Sequence, residues 1–109
     1  MTKEDYLAKI KENKERLEKE SMEAFRKVEE KFTNQVIKKI TNRIENAIVQ
    51  QFYLLNEEET RWLSNSNLFK KKLEELRKKY DFLKIRISND FYDENKIKAI
   101  YWWLKKEGE

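Results

Sequence analysis

Asp90, followed by Glu94-Asn95-Lys96, comes nearer than any other stretch of this sequence to a catalytic motif. Two carboxylates can hold a divalent cation while an ammonium neutralises a phosphate, as in metal-dependent nucleases. Here the acids share one short turn instead of adjacent strands, and a Glu-x-Lys triplet is expected by chance in so charged a chain. An ordinary polar turn is the simpler reading. Glu57, Glu58 and Glu59 read as the first turn of a helix, where negative charge suits the dipole, and not as metal ligands. The 109 residues include no Cys and no His. That excludes zinc fingers, thiol nucleophiles, imidazole bases and disulfide frameworks. With Gly108 the only glycine, there is no P-loop and no dinucleotide fingerprint. The chain is therefore read as non-enzymatic, with no cofactor and no metal.

Residues able to bind are more plentiful. Gln35, Lys38, Lys39, Asn42, Arg43, Asn46 and Gln50 recur at three- and four-residue steps, opposite Val36, Ile37, Ile40, Ile44 and Ile48. Lys and Arg neutralise phosphates, and Asn and Gln reach base edges. A second basic run comprises Lys70, Lys71, Lys72, Arg77, Lys78, Lys79, Lys84 and Arg86. Both runs also suit solvated helix faces. Adjacent Trp102 and Trp103 must diverge, by opposite faces on a strand or about 100° on a helix. One can enter the core while the other is presented to a partner or to a nucleic-acid base. Trp62, Phe25 and Phe32 complete the candidate partner-binding set.

The elements that would position these groups follow from patterning. Charged residues make up 42% of the chain and hydrophobic ones 39%, against about 25% charged in a typical domain. Residues 2–55 contain no Gly and no Pro and read as one long helix, about 80 Å at 1.5 Å per residue. Residues 1–20 carry six basic and six acidic side chains with sparse apolar positions, and read as a solvated helical arm, frayed at its start or ordering on a partner. Residues 21–55 read as its amphipathic continuation, with Phe25, Val28, Phe32, Val36, Ile37, Ile40, Ile44, Ala47, Ile48 and Phe52 in one stripe.

Residues 56–109 form a small cap in this reading, completing a single domain. Asn56 offers an N-cap, with Glu59 completing a capping box for a short helix through Leu63. Ser64-Asn65-Ser66-Asn67 is a turn and a second cap. Phe69, Leu73, Leu76 and Tyr80 mark an amphipathic helix over 67–80. Leu83, Ile85 and Ile87 alternate with Lys84, Arg86 and Ser88 as a half-buried strand. Residues 96–105 fit a strand closing a hairpin, or a helix capped by Asp93 and ended by Gly108. The hairpin is the expectation, because the strand at 82–88 needs a partner for its backbone groups. Residues 49–55 compete for that place if the long helix ends early. The fold expected is α+β and mostly helical, with a two-stranded C-terminal hairpin; an all-α bundle is the alternative.

The stripe over 25–52 would run about 40 Å, more than a cap of about 20–25 Å can cover. A homodimer through the long helix, or another protein partner, would cover it. A break near Thr33-Asn34-Gln35 or Thr41-Asn42 would instead let a bundle close on itself. Leu73-Glu74-Glu75-Leu76-Arg77-Lys78-Lys79-Tyr80, then Leu83-Lys84-Ile85-Arg86-Ile87, then Ile97 to Trp103, resembles small proteins of bacteriophages and other mobile elements. In those a helix ending Leu-x-x-x-Gly-Tyr precedes a hairpin, and Lys79 stands where their Gly would be. The resemblance implies a binder that blocks a host or defence factor, or a particle component, and carries over no catalytic residue.

The leading expectation is a protein-binding module, cytoplasmic in the host cell, since no apolar run is long enough to span a membrane and no signal peptide is evident. The alternatives are a nucleic-acid binder using Lys38, Lys39, Asn42, Arg43, Lys70, Lys71, Lys72, Lys78, Lys79, Lys84 and Arg86, and an oligomeric or virion component.

Overall fold

The computed structural model describes residues 1–107; Gly108, which the helical alternative made a cap, lies outside the described residues. The order is α1 (Lys3–Glu45), β1 (Phe52–Leu54), α2 (Glu57–Leu63), α3 (Asn67–Lys79), β2 (Leu83–Asn89) and β3 (Ile97–Leu104). The chain is α+β, and residues 97–104 are a strand, which disposes of the all-α alternative.

The long helix starts at a capping box: Thr2 Oγ1 accepts from Asp5 N–H at 3.2 Å, and Asp5 Oδ2 accepts from Thr2 N–H at 3.2 Å. It runs unbroken through Thr33 and Thr41, so neither fold-back occurs. It does not reach 55, however. Ala47 takes a left-handed φ of 49°. Ile48 N–H then bonds to Arg43 O at 3.0 Å and Ala47 N–H to Ile44 O at 3.1 Å. That is a Schellman ending, usually built on Gly, and here it turns the chain out of the helix without one.

Stopping at Glu45 leaves enough chain for β1, so the expected two-stranded hairpin is a three-stranded antiparallel sheet, ordered β1-β3-β2. Ile85 pairs Trp102 and Ile87 pairs Ile100, while Tyr53 also pairs Ile100 from the other side. The register slips between Ser88 and Asn89, leaving Lys98 as the extra residue of a bulge. The bulge flips the alternation, so Ile97, Ile100 and Trp102 all face inward and are buried.

The inner face packs on the helices. Val36, Ile40, Leu63, Phe69, Leu73, Ile85 and Ile100 form the centre of the core, each contributing about 1.5–3 kcal/mol by burial. Helix α2 is tied to β3 through both backbone groups of Ile97. Thr60 Oγ1 donates to its carbonyl at 2.9 Å, and its N–H donates to Ser64 Oγ at 3.0 Å. Ser66 caps α3, accepting from Phe69 N–H at 3.0 Å, and its hydroxyl donates to Glu29 of α1. Because the helix ends early and the cap folds onto it, Phe32, Val36, Ile37, Ile40 and Ile44 are covered within the chain. No partner is needed along that part of the stripe.

Both sheet edges carry an arginine. Trp102 N–H donates to Gln51 O and Leu55 N–H to Lys98 O, so the Phe52 carbonyl between them points away from the sheet. Arg43 of α1 donates to it. On the opposite edge, Arg77 of α3 donates through Nε to the Ile85 carbonyl at 2.8 Å.

Candidate functional site

The candidate surfaces are the outer face of the sheet and the exposed part of α1. Strand alternation puts Phe52 and Leu54 of β1, Lys84, Arg86 and Ser88 of β2, and Ala99, Tyr101 and Trp103 of β3 on the face away from the helices. Cross-strand neighbours make rows on one face. Phe52, Tyr101 and Arg86 form one row; Trp103 and Lys84 form the next. The Tyr101 and Trp103 rings stack with centroids 5.5 Å apart and planes at 14°. Tyr101 is 38% exposed and Phe52 41%. None of the three strands contains an Asp or Glu, whereas Lys84, Arg86 and Lys98 lie within them.

The second surface is the arm. Residues 1–27 are all exposed except Ile10, which is half-buried. Met1, Tyr6, Leu7, Leu17, Met22 and Phe25 are exposed large apolar side chains there. Met22 and Phe25 line a shallow groove with Glu15, Glu18, Glu23 and Glu29, against Lys19 and Arg26.

The proposed partner-binding residues are therefore scattered. Trp102 is buried in the core at 4% exposure and is not available to a partner. Trp103 takes the outer face. Trp62 is half-buried, its ring 5.6 Å from Phe25 and 6.4 Å from Phe32, so it buttresses α1 against α2. Phe32 belongs to that cluster, and Phe25 remains largely exposed.

The proposed nucleic-acid residues divide similarly. Lys39 donates to Tyr53 OH at 3.3 Å, and Arg43 clamps β1 with its guanidinium 5.5 Å from the Tyr53 ring. Asn42 accepts from Asn46 Nδ2 at 2.7 Å. Lys72 lies 3.3 Å from Glu75, and Lys79 lies 4.0 Å from Glu45 and over the Tyr80 ring. Lys38, Lys70, Lys71 and Lys78 are exposed. Lys84 and Arg86 alone of this set share the sheet face with the aromatic residues. Phe52 and Tyr101, absent from both candidate sets, complete that face. The β-favouring run Phe52-Tyr53-Leu54 is the signal for them, and it lies within the 49–55 stretch that competes with the helix as a strand.

The Asp90 motif forms the β2–β3 turn. Asp90 Oδ1 accepts from Tyr92 N–H at 2.8 Å, and Asp93 Oδ1 from Asn95 N–H at 3.0 Å. Both carboxylates thus serve Asx turns. They line a 530 Å³ cleft with Arg61, Ser64 and Lys96. Among the described residues no group of three acids could hold a metal ion.

Glu59 is buried beneath β1. Its carboxylate accepts from Tyr53 OH at 2.9 Å and from Asn56 N–H at 2.9 Å. Burial and that carboxylate push the Tyr53 phenol up to about 12. Tyr80, buried and donating to Glu45, is likewise pushed up to about 12. These carboxylates hold the fold together. No helix among the described residues is long and apolar enough to cross a membrane. No protein-family model, curated protein or solved structure matches the chain.

Proposed function

We propose that this chain is a small non-enzymatic binding protein, acting in the cytoplasm through protein–protein contact, of the kind phages and mobile elements carry to block a host or defence factor. The observation supporting this is the arm: 27 residues of chain with Tyr6, Leu7, Leu17, Met22 and Phe25 held in water. A helix that supports no core of its own and still displays large apolar side chains suits insertion into a partner's groove. The acidic surround of Met22 and Phe25 calls for a groove with a basic rim. The resemblance of the C-terminal half to mobile-element proteins points the same way.

The test compares the tagged chain with Leu17→Glu/Met22→Glu, first by co-purification from its native cell and then with the purified partner. A direct complex weakened at least tenfold by the double variant, with thermal stability unchanged, is the expected result. Equal retention by both chains rejects the arm as the contact. A dimer that dissociates in the variant assigns the arm to self-assembly, as in a structural component.

A further inference from the structure

We propose that the cleft between α2 and the β2–β3 turn binds a short peptide by both of its free ends, independently of the arm. The walls of this cleft are fixed before anything enters it. Thr60 and Ser64 of α2 hold the two backbone groups of Ile97. Across from them the turn is closed by Asp90 N–H donating to Lys96 O at 2.8 Å and Lys96 N–H donating to Asp93 O at 3.0 Å. The space between is 530 Å³, within the range of about 300–1,000 Å³ typical of preformed ligand sites.

Charge selects the ligand. Glu57, Asp90 and Asp93 line the cleft together with Arg61, Lys96 and Lys98, so acids and bases are equal in number. None of the six takes part in an ion pair among the described residues. The Asx turns engage Oδ1 of Asp90 and of Asp93 and leave Oδ2 of each open. A simple anion entering here meets the carboxylates, and a simple cation meets the guanidinium and ammonium groups. An uncharged ligand strips water from both sets and replaces it for neither. A molecule with one charge of each sign at separate ends satisfies both.

The carboxamides of Asn65 and Asn95 also line the cleft and have no partner among the described residues. A carboxamide donates and accepts at once, which is what a peptide bond between the two charged ends requires. A space of 530 Å³ is about 8 Å along an edge, which two or three residues span at about 3.3–3.6 Å each. Arg61, with its planar fork, takes the terminal carboxylate. Asp90 and Asp93 take the terminal ammonium.

The full chain is titrated with trialanine by calorimetry. Saturable binding is expected, weakened at least fivefold when the tripeptide is N-acetylated and at least fivefold when it is C-amidated. Arg61→Gln should weaken trialanine at least fivefold. Asp93→Asn, which keeps an oxygen for Asn95 N–H and removes the charge, should weaken it at least threefold, and gives a second reading if the other variant fails to fold. Lys70→Glu/Lys71→Glu should leave binding within twofold. Leu17→Glu/Met22→Glu should bind the tripeptide as the unchanged chain does, so failure here and failure of the arm are told apart. The proposal is overturned by no saturable heat at about 10 mM tripeptide, by equal binding of either blocked peptide or of free alanine, or by unchanged affinity in both cleft variants.

Discussion

Thr33 is fully buried on α1, and its hydroxyl has no hydrogen-bond partner among the described residues. An unsatisfied buried polar group costs about 1–3 kcal/mol. Thr33→Val keeps the shape and removes the hydroxyl, so it should raise the unfolding free energy by about 1 kcal/mol in urea titration. A fall would mean that the hydroxyl has a role in the folded chain. Tyr53 and Tyr80 bear on pH. Their phenols are pushed up to about 12 in the fold, against about 10 unfolded. The folded state therefore favours the neutral phenol. That stabilisation is complete below about pH 10 and is lost as pH rises through about 12. Alkaline unfolding should fall in that window, with absorbance at about 295 nm showing both tyrosines ionising as the sheet melts; ionisation of both near pH 10 in an intact fold would contradict it.

Among the elements, the end of α1 decides the architecture. Ala47 at φ 49° holds a position that costs a residue with a Cβ about 1 kcal/mol. Ala47→Gly should therefore stabilise the protein by about 1 kcal/mol, raising the melting temperature by about 4 °C. An unchanged or lower value would place the strain elsewhere. The same residue explains what the sequence conceals. Asn56, Ser66 and the alternation of Leu83, Ile85 and Ile87 are local signals, and α2, α3 and β2 lie where those signals put them. The end of α1 uses a left-handed alanine where glycine is the usual marker. Apolar periodicity runs on through Ile48 and Phe52, so a strand within 49–55 is legible only as the alternative to a longer helix, and the structure takes that alternative. The sheet face is hidden in the same way, because Phe52 joins Tyr101 only once β1 pairs β3. The bulge at Lys98 was equally hidden: it depends on pairing with β2, not on any residue of its own strand.

At the scale of the whole molecule, the protein is a small cap with a projecting rod. Its extents are 74 × 31 × 24 Å and its radius of gyration is 20.0 Å, against about 13 Å for a compact chain of this length. Small-angle scattering of the monomer should give a value near the larger figure. Deleting residues 3–21 should bring it close to the smaller one while moving the melting temperature by no more than about 2 °C, since that stretch supports no core. A larger loss of stability would show that the arm folds back onto the cap.

The arginines on the sheet edges have a consequence for life in a crowded cell. An open strand edge is a template on which other chains can add. Here Arg43 and Arg77, each anchored on a helix, occupy a carbonyl on either rim and set a charge where an incoming strand would dock. The sheet is thereby terminated on both sides, although its outer face stays open. Replacing both with Met should hasten fibre growth in agitated solution, followed by thioflavin fluorescence, and each single variant should fall between. An unaltered growth rate would mean that the rims are guarded by the shortness of β1 and the turns instead.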